Sequence, residues 1–341
     1  MDSRNPCQPH SASRYLARMD EYKNAVYRLF PAVPRRVVDR WSIFPIDTLI
    51  IGYFLECYPR RVVALDIGTF VGTSAFCLAS HPKVSKVISV DPNPAIASEL
   101  IDKSDAWDKS VDLETLKNLR VLDVAHAALA EFADEREKIQ LHEGVVGSTQ
   151  IGVKGEPLEG LMRVDVPVVD PLEEAGLVAL VDGLHTREGV QADLTAIFDR
   201  NPRAIVLLDD CRHAWGPFVQ AGVVDFMEQV AGEYHFRLIG NLGPGLATSN
   251  LGLVYPDSAA TETTKALDEV KRMFSQQLDP LRLLNREEEL VSIINRTNQE
   301  FDQVRKNMNE LEERYIELKA QASRLEKRNA QLVAQLEDIR S

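Results

Sequence analysis

The sequence predicts an α/β body built on a doubly wound, mostly parallel sheet, followed by a C-terminal α-helical coiled coil. Two patterns predict it. Between Arg61 and Pro256, seven short runs rich in β-branched and aliphatic residues alternate with helical stretches, the signature of βαβ units feeding a parallel sheet. From Ile294 onward apolar residues recur in heptads, as a coiled coil requires. With 341 residues and a hydrophobic share of 45%, the chain can bury a substantial core, as two domains or as one domain with an appendage.

Taken in order, residues 1–45 begin polar and then place Leu16, Met19, Tyr22, Val26 and Phe30 at roughly helical spacing, which predicts a helical leader. The body, 46–256, carries the runs Val62–Ile67, Lys86–Asp91, Lys138–His142, Leu177–Asp182, Ala204–Asp209, Phe236–Ile239 and Leu251–Tyr255. Ligands of open α/β sheets bind beyond the carboxyl ends of the strands, so Asp91, Asp182, Asp209 and Asp210 fall where a site belongs, with Asp66 at the same edge. Residues 257–284 read as a linker: a Ser/Thr/Ala-rich loop, then a helical connection. Residues 285–341 form the expected coiled coil. One core set is Phe301, Met308, Tyr315, Ala322, Asn329 and Leu336; the set three residues later is Val304, Leu311, Leu318, Leu325, Leu332 and Ile339. Leucines at successive positions of the second set favour two parallel strands, and Asn329 is a register-fixing polar residue, so a homodimer is expected.

Charge and composition narrow the function. Against 39 Lys and Arg stand 52 Asp and Glu, a formal net charge of −13, which repels a phosphate backbone and argues against nucleic acid as a partner. No stretch approaches the ~20 apolar residues that span a bilayer, and the first ten residues lack the apolar core of a secretion signal. A cytoplasmic protein is expected. Cys7, Cys57, Cys77 and Cys211 are scattered without CxxC spacing, which speaks against a zinc site or a disulfide framework.

Three groups of residues carry chemistry. In Ala64-Leu-Asp-Ile-Gly-Thr-Phe-Val-Gly-Thr-Ser74 a buried strand runs into Gly68 and Gly72, where backbone can approach a ligand and the following helix offers unpaired N–H groups. Glycine pairs at such turns also serve packing alone. Their spacing, with three residues between, departs from the dinucleotide GxGxxG pattern and weakens a nicotinamide oxidoreductase reading. Asp91 follows about twenty residues on, at the end of the next run, where a carboxylate accepts ribose hydroxyls; Asp91-Pro-Asn-Pro94 is equally a turn sequence. Asp182-Gly-Leu-His185 and Asp209-Asp210 end neighbouring runs, so carboxylates converge beside a histidine. Such a set suits a hard divalent cation, with His185 as a general base. Its alternatives are capping of the next turn by the aspartates and a histidine at the edge of the core.

Together, Asp66 to Ser74, Asp91 to Pro94, Asp182 to His185 and Asp209-Asp210 resemble the class I S-adenosylmethionine-dependent methyltransferases, closest to the catechol O-methyltransferase-like and macrocin-type O-methyltransferases. The resemblance covers about 60–256. It implies a Rossmann-like, seven-stranded sheet with an antiparallel edge. It implies S-adenosylmethionine bound by Asp66, Gly68, Gly72, Ser74, Asp91 and Asp182, with Asp182, Asp209 and Asp210 as magnesium ligands in the metal-dependent branches. His185 would match the base of the sugar-modifying enzymes. Two departures stand out: Asn201-Pro-Arg replaces the usual Gly-Gly before the fifth parallel strand in chain order, and Leu158 to Pro171 looks like an insertion. The function expected is methyl transfer to a hydroxyl of a small molecule or sugar, with or without a metal. The alternative is an inactive methyltransferase-like scaffold assembled through its coiled coil.

Overall fold

The computed structural model describes residues 10–99, 113–147, 162–169, 175–212, 216–230, 232–240 and 249–277. By internal contacts the chain divides into Met1–Gln277 and Leu278–Ser341. The coiled coil lies outside the described residues.

The first unit opens with α1 (His10–Leu29), α2 (Arg35–Trp41) and α3 (Pro45–Cys57). It continues through β1 (Arg61–Ile67), α4 (Thr73–Ala79), β2 (Val84–Asp91), α5 (Ile96–Glu99), α6 (Leu113–Asn118), α7 (Val121–Leu129), α8 (Ala133–Lys138) and β3 (Ile139–Glu143). Then come β4 (Ala175–Val181), α9 (Arg187–Arg200), β5 (Ile205–Leu208), α10 (Gly216–Gln229), β6 (Tyr234–Leu238), β7 (Gly252–Pro256) and α11 (Ala260–Gln277). The seven strands form one sheet in the order β3-β2-β1-β4-β5-β7-β6. β1 to β5 pair in parallel, while β7 runs antiparallel to both β5 and β6. This is the Rossmann-like arrangement that the seven runs and the resemblance anticipate.

Alternation along the strands builds two cores, because successive side chains of a strand face opposite sides. Val62, Ala64, Val178, Leu180, Ile205 and Leu207 pack with α3, α4 and α11 on one face. Leu65, Ile67, Leu177, Ala179, Val181, Val206 and Leu208 pack with α9 and α10 on the other. Each fully buried aliphatic side chain contributes roughly 1.5–3 kcal/mol, and both faces are covered, as parallel sheets require. Chain order reverses direction across the sheet between β1 and β4, the kind of switch point at which open α/β sheets bind ligands beyond the carboxyl ends of their strands.

Two segments differ in detail from expectation. The buried stripe of α1 is Tyr15, Met19, Tyr22 and Val26, so Tyr15 takes the place read for Leu16. This helix packs on α3, α4 and α7. In the stretch read as a linker, 260–277 is the amphipathic helix α11, seated on α3 through Ala266, Leu267, Val270, Met273 and Phe274. Among the described residues no helix is long and apolar enough to cross a membrane.

Candidate active site

The turn between β1 and α4 is held in an unusual backbone. Gly68 and Gly72 have φ of 91° and 90°, and Phe70 between them has φ of 48°. A Cβ on Gly68 would run into the backbone carbonyl of Asp182, at the end of the adjacent β4. A Cβ on Gly72 would stand 2.5 Å from the hydroxyl oxygen of Tyr22 and 3.1 Å from Cβ of Ala125. Both glycines are therefore required by the protein's own packing as well as by their dihedrals. The turn is tied down by backbone N–H groups: Gly68 donates to the Val90 carbonyl, Gly72 to that of Thr69, and Phe70 to Oδ2 of Asp91 (each 2.9 Å).

Asp66 lies beneath this turn with 0% exposure. Its Oδ2 accepts the hydroxyls of Ser89 (2.6 Å) and Ser74 (3.1 Å), and its Oδ1 is buried with no hydrogen-bond partner in the protein. Burial pushes the Asp66 carboxyl up to about 7; the two hydroxyls oppose that, and the charges of Asp182 and Asp91 add to it. Ser74, expected at the cofactor, spends its hydroxyl on Asp66.

Asp91, 5% exposed, serves its turn and its neighbour at once. Oδ1 accepts the Asn93 N–H (2.7 Å) while Oδ2 accepts that of Phe70, so both oxygens brace backbone turns, as the turn-forming reading expects. Its burial pushes the pKa up to about 6, opposed by these backbone donors.

At the ends of β4 and β5 the carboxylates gather around an imidazole. Nε2 of His185 stands 3.2 Å from Oδ1 of Asp182, and Nδ1 stands 3.6 Å from Oδ2 of Asp210. Burial disfavours the imidazolium, but the hydrogen bond and charge of Asp182, with the charge of Asp210, outweigh it and raise the His185 pKa. Asp182 is itself raised, because burial outweighs the help it receives from His185. Asp209 turns back to accept the Asp210 N–H (2.7 Å), and Asp210 adopts φ of 55°. Burial, then the charges of Asp182, Asp210 and Asp47, hold Asp209 well above the usual carboxylate range.

The magnesium site implied by the resemblance does not fit this arrangement. His185 lies between Asp182 and Asp210, and Asp209 is engaged with backbone. Among the described residues no group of three His, Cys, Asp or Glu side chains is placed to hold an ion.

Sequence reasoning missed Asp47, on α3. It is 0% exposed, accepts the Ser249 hydroxyl at 2.6 Å, and leaves Oδ2 buried without a partner. Burial pushes it up to about 6, and Asp210 and Asp182 add to the effect. Its signal was an acid inside the apolar run Pro45-Ile-Asp-Thr-Leu-Ile-Ile, which at a first helical turn reads as ordinary dipole compensation. The Asn201 that departs from Gly-Gly also has a visible task. Its side chain donates to the Pro167 carbonyl and accepts the Val169 N–H, clamping 167–169 to the end of α9.

No family model matches the chain, and no curated protein matches it. Solved structures do. The O-methyltransferase TomG from Streptomyces achromogenes, in complex with S-adenosylmethionine, is 18% identical over 70% of this chain and 89% of its own, with a TM-score of 0.39. An O-methyltransferase from Bacillus cereus is 15% identical over 69% of this chain and 90% of its own, with a TM-score of 0.39. An rRNA methylase from Streptococcus thermophilus is 11% identical over 60% and 92%, with a TM-score of 0.32.

Proposed function

We propose that this chain is an S-adenosylmethionine-dependent methyltransferase whose acceptor is a hydroxyl of a small molecule or sugar, with His185 as the general base. One observation carries the reading. The glycine turn 68–72 abuts the backbone of Asp182, and Asp182 contacts His185, which supports a cofactor turn and a base meeting at one switch point.

The residues of the turn suit the cofactor. Asp66 keeps one carboxyl oxygen that no protein group satisfies; it is fully buried beneath the turn, so a donor group of a ligand would reach it only with a shift of the turn above it. Asp66, the backbone of the Gly68 to Gly72 turn and Asp91 would hold it, Asp91 through lone pairs not taken by its backbone donors Phe70, Asn93 and Thr69. When bound, the cofactor supplies an electrophilic methyl group on a sulfonium.

The remaining chemistry belongs to side chains. Asp182 orients the imidazole through Nε2 and stabilises its cationic form. The longer contact at Nδ1, 3.6 Å from Asp210, is the one that an acceptor hydroxyl can displace. Nδ1 then takes the hydroxyl proton, leaving the oxygen nucleophilic. No step here uses a metal, so turnover is expected to survive EDTA. A loss restored by added magnesium would mean that His185 swings away to admit an ion.

The test is methyl transfer and cofactor binding by the whole chain and by His185→Ala. Loss of a general base lowers the rate by roughly 100- to 10,000-fold, with S-adenosylmethionine affinity retained. A chain that binds no S-adenosylmethionine would instead favour the scaffold reading. We further propose a homodimer paired through 285–341, on the strength of the heptads.

A further inference from the structure

The second glycine of the cofactor turn faces the N-terminal leader. Where Gly72 lacks a side chain, the space is filled by Tyr22 of α1, whose hydroxyl oxygen would lie 2.5 Å from a Cβ there. That hydroxyl donates to the Val71 carbonyl at 2.8 Å, inside the turn. Tyr22 is 0% exposed, and its ring stacks on Phe76 of α4 with centroids 4.6 Å apart. The helix is anchored nearby through Arg18, which lies over the rings of Phe76 and Phe132 and pairs with Glu135 at 2.5 Å. A second link joins the region before β1 to the start of α4: the Ser42 and Thr73 hydroxyls are 3.1 Å apart.

From these contacts we infer that α1 is a working part of the cofactor site, with Tyr22 as a positioning residue for the turn. The inference rests on the proposed cofactor reading. Its physical basis is the backbone of 68–72. Phe70 sits at φ of 48° between two glycines whose positive φ is free of strain, and such a conformation in a bulky non-glycine residue persists only where the surroundings over-determine it. Bonds to Val90, Thr69 and Asp91 restrain the turn from within the sheet unit. Tyr22 restrains it from outside, at the one peptide carbonyl between Phe70 and Gly72. A turn already held in its ligand-bound shape spares the cofactor the cost of ordering it. The glycine and the tyrosine thus form one device, and a residue read as a ligand contact is also the socket for a helix outside the methyltransferase-like segment.

The experiment is calorimetric titration of S-adenosylmethionine into the whole chain, its Tyr22→Phe variant and, as a control on the same helix, Tyr27→Phe. Tyr27 donates its hydroxyl to Asp39, away from the turn. Tyr22→Phe keeps the stacked ring and removes only the hydroxyl. Affinity is expected to fall about three- to tenfold, the range of one buried hydrogen bond, with KM for the cofactor rising and kcat at saturation unchanged. Tyr27→Phe is expected to bind as the unaltered chain does. In the absence of cofactor, amide exchange over 69–73 is expected to quicken in Tyr22→Phe and not in Tyr27→Phe. A lowered melting temperature with unchanged affinity in Tyr22→Phe, or equal weakening in both variants, overturns the proposal alone. An unaltered chain that binds no S-adenosylmethionine overturns the cofactor reading, and this proposal with it.

Discussion

His185 carries its proton more tightly than a free histidine, because Asp182 and Asp210 face its two ring nitrogens. A base must be neutral to act, so kcat/KM should rise with pH through a step above the ordinary histidine value of ~6.5. Asp182→Asn removes the nearer carboxylate and should move that step to lower pH while slowing turnover; a pH-rate profile measures both. Asp66 yields a second prediction with a fixed sign. Its folded pKa of about 7 lies above the ordinary 3.8. Its contribution to stability is therefore complete below about pH 4 and lost as pH rises through 7. Asp66→Asn should flatten the decline in urea midpoint between pH 5 and 8 without abolishing it, since Asp47, Asp91 and Asp193 are raised as well. Both effects belong to single residues, and neither was visible in sequence: the residue types and strand-end positions were legible, but burial and the facing charges were not.

Among elements, the strands were the most legible part, because a buried parallel sheet needs continuous aliphatic runs and turn signals, both of them local. The turn after β1 was legible as a glycine pair, yet its reasons were not. Gly68 is demanded by the end of β4, more than a hundred positions later in the chain, and Gly72 by α1. Gly68→Ala would place a methyl group against the Asp182 carbonyl at φ of 91°. A non-glycine residue in such a region costs about 1–3 kcal/mol before any clash is counted, so a fall in unfolding free energy of at least that size is expected by chemical denaturation. The helix α11 shows the opposite case. Its 18 residues form an amphipathic helix whose partner surface on α3 could not be inferred from its own spacing, so it read as a connection.

For the molecule as a whole, the heptads between Phe301 and Ile339 set the expected assembly. A strand-pairing helix of this kind buries its seam only against another helix. Light scattering should therefore give a dimer for the full chain and a monomer for a chain ending at Gln277, the boundary of the first unit. A monomeric full chain, or an equally dimeric shortened one, would remove the tail as the pairing element.

Local pattern by itself determined the strands and the acids at their carboxyl ends, because aliphatic runs and turn chemistry are properties of neighbouring residues. Tertiary structure alone decided which of those acids share a site and what each is bonded to. Asp47 meets Ser249 across 202 positions, Tyr22 meets Val71 across 49, and His185 joins Asp182 to Asp210. The reason is that desolvation and charge coupling depend on what surrounds a group in space, and folding brings those surroundings from distant parts of the chain.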